Sequence, residues 1–123
     1  MAQGIRTING YTNNYPTKTS SNNNNAWPIG TGIWNTTYMN THATGPSTVT
    51  ITIPAYTVTD GTQEIRICFR AGTSWSGFTA TLDGTFTNQF GFSDLSFTAG
   101  KYYEISILAL NASTITCVCK EWS

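Results

Sequence analysis

From Ser47 onward the chain repeats with a period of two, and that period decides what it can fold into. Val49, Ile51 and Ile53 alternate with Thr48, Thr50 and Thr52, the pattern of a strand with one face buried. Ile65, Ile67 and Phe69 alternate with Glu64, Arg66, Cys68 and Arg70, and Phe78, Ala80 and Leu82 with Thr79 and Thr81. Tyr103, Ile105, Ile107 and Ala109, then Ile115, Cys117 and Cys119, are the inward faces of two further strands. No stretch of useful length carries the i, i+3, i+4 spacing of an amphipathic helix. The class is all-β.

Turn residues punctuate the alternation. Asp60-Gly61 and Asp83-Gly84 supply the positive φ of tight hairpins. They predict one hairpin from Tyr56–Thr59 into Gln63–Arg70 and a second from Phe78–Leu82 into Thr85–Phe90. Pro54 ends its strand or marks an edge, and Asp94–Thr98 is expected as a short strand before Ala99-Gly100. Seven or eight short strands at this spacing predict an antiparallel β-sandwich, with a jelly-roll arrangement of the same strands as the variant.

Residues 1–46 differ. Asn9-Gly10, Asn13-Asn14, Pro16, Ser20-Ser21 and Asn22–Asn25 are loop chemistry without apolar period. They predict an extended Asn/Thr/Gly-rich arm that docks on another surface, followed by a β-sandwich domain over 47–123. Trp27, Trp34 and Tyr38 are the aromatic anchors expected to make its subunit contacts, unless they pack on the adjoining sheet.

At 123 residues the chain is one domain's worth, enough for a core without metal or disulfides. Charged residues are 10% of the whole, and six basic balance six acidic side chains. Scattered as they are, the six basic residues predict no nucleic-acid partner. No apolar run is long enough to span a membrane, and no secretory h-region follows Met1. Both point to a protein made in the cytosol. The three cysteines contain no C-x-x-C and read as buried thiols, with a Cys68 link to Cys117 or Cys119 left open.

Groups that move protons or bind metal are sparse. His42 is the single histidine and lies in a loop-like stretch. With the three cysteines it lacks zinc-ligand spacing. Asp60 and Asp83 are already explained as turn residues, and Asp94 and Glu104 define no cleft of the glycosidase kind. Gly30-Thr31-Gly32 lacks the rest of a phosphate loop. No catalytic residue, cofactor or metal is expected. Binding chemistry is better represented: Trp75 offers a sugar-stacking face, and Asn88 and Gln89 are nearby hydroxyl readers.

The run Phe97-Thr98-Ala99-Gly100-Lys101-Tyr102-Tyr103-Glu104-Ile105-Ser106-Ile107, answered by Ser113–Cys119, resembles the C-terminal β-module of tailed-bacteriophage virion appendage proteins. These are tail-fibre, head-fibre and decoration subunits. The likeness covers about residues 47–123, and its Phe-x-Ala-Gly-Lys-x-Tyr phrase is also similar to fimbrillin-type adhesins, which are exported. The resemblance implies a virion structural protein, assembled as a homo-oligomer (a trimer foremost) with other virion proteins. It implies no catalytic residue. A carbohydrate-binding module that recognises host surface glycan is the alternative function.

Overall fold

The computed structural model describes residues 3–8, 11–21, 25–57 and 63–122. Ten strands run β1 (Gln3–Ile8), β2 (Tyr11–Ser20), β3 (Ala26–Thr31), β4 (Thr36–Asn40), β5 (Thr48–Ile53), β6 (Gln63–Arg70), β7 (Gly77–Leu82), β8 (Asn88–Phe90), β9 (Tyr102–Ala109) and β10 (Thr114–Trp122). One 3-10 turn, Phe92–Asp94, lies between β8 and β9. The protein is all-β.

Seven strands form one sheet in the order β1-β2-β4-β6-β9-β10-β8, and three form another in the order β3-β5-β7. The chain alternates between them: β2, β4 and β6 pair in parallel in the large sheet, while β3, β5 and β7 pair in parallel in the small one. Each passage from large sheet to small and back is one rung, so the first part of the fold coils like a short β-solenoid. Antiparallel pairing is confined to β1 with β2 and to the β6-β9-β10 ladder.

The expected antiparallel sandwich is therefore corrected. Two sheets do enclose one core, but among the described residues five of the eight strand pairings are parallel. The alternation is the same for either pairing direction, so it carries no sign of which one forms. The second expected hairpin, Phe78–Leu82 into Thr85–Phe90, is not formed. β7 pairs with β5 and β8 with β10, both in parallel. β6 pairs with β4 and β9, residues 54–57 carry no strand, and the Asp60-Gly61 turn lies outside the described residues. Residues 95–98 are irregular rather than a strand, and they cover the core beside the 3-10 turn.

Both sheets bury the faces that the alternation marks. Val49, Ile51 and Ile53 from the small sheet join Ile65, Ile67, Phe69, Tyr103, Ile105, Ile107 and Ile115 from the large one in a single apolar cluster. Residues 26–46, expected within a separate arm, are built into this body. β3 flanks β5, β4 lies between β2 and β6, and buried Pro46 accepts a backbone hydrogen bond from Gly72 at 2.8 Å. Gly45 at φ +74° passes so close to Arg70 that a Cβ would fall 1.8 Å from its carbonyl oxygen. The position tolerates nothing but glycine. The Asn9-Gly10 turn and Asn22–Asn24 lie outside the described residues.

The Ala99-Gly100 turn forms as expected. Gly100 takes φ +86°, and the Gly100 and Ala71 N–H groups donate to the Ala71 and Lys101 carbonyls at 2.7 and 2.9 Å. This lock brings β9 back beside the end of β6.

Candidate functional site

The antiparallel ladder sets which side chains share the outer face of the large sheet. Residues paired in register point the same way, so Met39, Cys68, Glu104 and Lys120 form one row across β4, β6, β9 and β10. Arg70, Tyr102 and Trp122 form the next row along the strands. At this end the face is hollowed into a groove of about 410 Å³, lined among others by Met39, His42, Cys68, Tyr102, Glu104 and Trp122.

Each wall has a local cause. Trp122 and Tyr102 are 47% and 54% exposed because no further layer covers this face. The Lys120 ammonium sits 4.0 Å from the Trp122 ring centroid, and the Arg70 guanidinium 5.8 Å from that of Tyr102, both within cation–π reach. Arg70 also donates to the carbonyls of Gly100 (3.1 Å) and Ala43 (2.6 Å). It thereby ties two loops to the strand end.

The rim at residues 40–44 is held by its own side chains. His42 N–H donates to Asn40 Oδ1 at 3.0 Å, and Thr44 N–H donates to His42 Nδ1 at 3.2 Å. Nδ1 is thus an acceptor, and in the neutral ring the proton sits on Nε2. On the floor, Arg66 Nε donates to Glu104 Oε2 at 3.0 Å and its terminal nitrogen makes a second contact to the same oxygen.

The cysteines are inert thiols. Burial pushes Cys68 up to about 11, with Glu104 adding to the rise. Burial likewise lifts Cys117 to about 12 and Cys119 to about 11. Register places Cys68 on the outer face and Cys117 and Cys119, which lie opposite Ile107 and Ile105, on the inner one. The possible Cys68 link is excluded, since the backbone of the sheet separates the partners, and all three are free. Asp83 is lowered by the hydroxyl and N–H of Thr85, which donate at 2.7 and 3.1 Å. Its work is to hold the turn.

Trp27 and Tyr38, expected as subunit anchors, are each only 6% exposed and sit in the core. This burial matches the alternative reading, in which these aromatics pack on the adjoining sheet. Trp27 points inward from β3, and Tyr38 shares a register row with Ile67. The Tyr38 hydroxyl accepts the Ile33 N–H at 2.9 Å. Trp34 is half-buried, donating its indole N–H to the Ala55 carbonyl at 3.0 Å and meeting Phe86 edge-on.

Trp75 is also half-buried. It stacks on Phe69 at 5.3 Å and packs against Phe97 at 5.2 Å, with Tyr103 completing the aromatic group. Asn88 and Gln89 are exposed on β8, where Gln89 Nε2 donates to the Phe86 carbonyl at 2.9 Å. β8 pairs with the Thr114 end of β10, whereas Trp75 reaches the Tyr103 end of β9. Six strand residues, about 20 Å, separate the two ends. The structure does not bring Trp75 together with Asn88 and Gln89.

The residues that do converge are Tyr102 and Trp122. Sequence alone does not mark them, because Lys101-Tyr102-Tyr103 and Glu121-Trp122-Ser123 show no sign of their neighbour across the ladder. Parity was the available signal: Tyr102 falls on the opposite face from Tyr103.

Among the described residues no group of three His, Cys, Asp or Glu side chains is placed to hold a metal, and no helix is long and apolar enough to cross a membrane. Comparison with models of protein families, with curated proteins and with solved structures finds no match to this chain. What the groove offers is two aromatic faces, a carboxylate already paired, and a polar rim. That set suits binding.

Proposed function

We propose that this chain is a structural subunit of a bacteriophage virion, of the fibre, head-fibre or decoration kind, acting by assembly and surface display. One observation carries the reading: the two-sheet body exposes Tyr102, Val118 and Trp122 together on one broad face. The carboxylates Glu64, Asp83, Glu104 and Glu121 support it. They receive Ser106, Thr85, Arg66 and Tyr103 respectively, so one oxygen of each is engaged within the fold. Exposed aromatic residues over a rigid sheet are the usual composition of an assembly contact. The resemblance of Phe97–Ile107 to appendage modules is what supports the class of particle.

Mass spectrometry of purified particles, with antibody labelling in the electron microscope, tests this. The chain is expected in the particles at a fixed copy number, with label on their surface. Recovery only from the lysate, with none in particles, overturns the reading.

A second function is favoured by the groove. Trp122 and Tyr102 stand beside Glu104 and the Asn40–His42 rim, an aromatic platform with polar groups at its edge. Such a pairing stacks the apolar face of a sugar ring while reading its hydroxyls. A host-glycan site would then lie here rather than at Trp75. A glycan array should give saturable binding that Trp122→Ala abolishes and Trp75→Ala leaves in place. Binding indifferent to Trp122→Ala removes this second function.

A further inference from the structure

The two sheets end differently, and among the described residues one edge carries no protection. An exposed strand edge invites a further strand unless a charge, a proline, a bulge or short length blunts it. In the small sheet, β3 carries Pro28 and a register irregularity between Pro28 and Gly30. In the large sheet, β8 is three residues long, and β1 holds Arg6 at its middle. The part of β10 beyond β8 carries Lys120 and Glu121, and Gly91 lies against its Cys117 carbonyl. β7, Gly77-Phe78-Thr79-Ala80-Thr81-Leu82, has none of these devices.

Hydrogen-bond parity shows what this edge presents. Asp83 N–H donates to the Ile53 carbonyl at 3.1 Å, while the Thr52 carbonyl on the other side of β5 accepts Gly32 N–H at 2.8 Å. The odd residues of β5 therefore bond towards β7, and Gly77, Thr79 and Thr81 bond back. By the alternation of a strand, Phe78, Ala80 and Leu82 turn their N–H and C=O groups outward. Among the described residues no backbone hydrogen bond reaches these groups. Their side chains face the interior but are only half-buried, whereas Val49, Ile51 and Ile53 in the adjoining strand are fully buried. The small sheet stops one strand short of covering its own core.

We propose that β7 pairs antiparallel with β7 of a second copy, joining two small sheets into one six-stranded sheet across a two-fold axis at Ala80. The sequence of the strand is its own complement. With Ala80 opposite Ala80 of the second copy, Phe78 meets Leu82 on the inner face and Thr79 meets Thr81 on the outer face. Apolar residues thus pair with apolar ones, and threonine with threonine, each favourable across antiparallel strands. No charged residue lies anywhere from Ala71 to Leu82, and the chain's net charge is zero, so nothing repels the second copy. Such an interface is isologous and closes at two subunits. It replaces the threefold assembly expected from the resemblance, and it stands independently of what the outer face binds.

Light scattering on the full chain tests it. Because a single strand pair is a small interface, the measurement belongs at about 100 µM. The expected mass is about twice the 13.4 kDa of the chain. Thr79 and Thr81 are exposed and point away from the core, so charges there spare the fold, which circular dichroism verifies. The double substitution Thr79→Lys with Thr81→Lys sets ammonium groups opposite one another and is expected to give the monomer mass. Thr79→Lys with Thr81→Glu sets opposite charges face to face in this register alone and is expected to restore the dimer. A monomeric wild type at that concentration overturns the proposal. So does an oligomer of any size whose mass is unchanged by the double lysine variant, or a charge-swapped variant that stays monomeric.

Discussion

Gly91 and Gly84 have the same side chain and opposite tolerance for a larger one. Gly91 holds φ +87°, and a Cβ there would fall 2.0 Å from the Cys117 carbonyl oxygen; around Gly84 there is open space. Left-handed backbone alone costs a residue with a Cβ about 1–2 kcal/mol, and the collision adds to it. Gly91→Ala should therefore lower stability by at least about 2 kcal/mol in urea unfolding, and Gly84→Ala should stay within about 0.5 kcal/mol. The cysteines give a pH signature at the same scale. Their folded values lie above the ordinary thiol value of 9.0, Cys117 at about 12 through burial. The unfolded chain thus releases its thiol protons first as pH rises. This stabilisation is complete below about pH 9 and is lost progressively towards pH 12. Alkaline unfolding followed by circular dichroism should show that loss, and Cys117→Val should reduce it, leaving the share of Cys68 and Cys119.

At the scale of the element, tryptophans that look alike in sequence do different work. Trp27 is buried on β3, so Trp27→Ala should cost about 3–5 kcal/mol. Trp122 is half exposed on β10, and Trp122→Ala should cost well under half as much while removing whatever the groove binds. Thermal unfolding of the two variants side by side separates the roles. Nothing local distinguishes the two: each is flanked by polar or small residues at a strand end. The inward faces of β5, β6, β9 and the start of β10 were legible because period-two alternation assigns each residue to a face. The role of Asp83-Gly84 was not, because a turn signal says that the chain reverses locally and not which strands then pair. β7 and β8 flank that turn and join different sheets.

For the molecule as a whole, the consequence is that the described stretches 11–21 and 25–35 are part of the fold. They contribute β2 and β3 to the two parallel stacks, and they carry Trp27 and Ile29 in or against the core. Deleting them would strip the edge of β4 and uncover Val49 and Ile51. The truncated chain should lose its cooperative thermal transition and bind a hydrophobic dye, where a detachable arm would leave both unchanged. The sequence by itself determined that this protein is all-β, which side of each later strand is buried, and that Ala99-Gly100 turns. These depend on neighbours one or two residues away. Only the tertiary structure decided which strand lies beside which, in which direction, and hence that Tyr102 and Trp122 meet while Trp75 and Gln89 do not. The parallel pairings join residues twenty or more positions apart, and the period of a strand is the same whichever partner it finds.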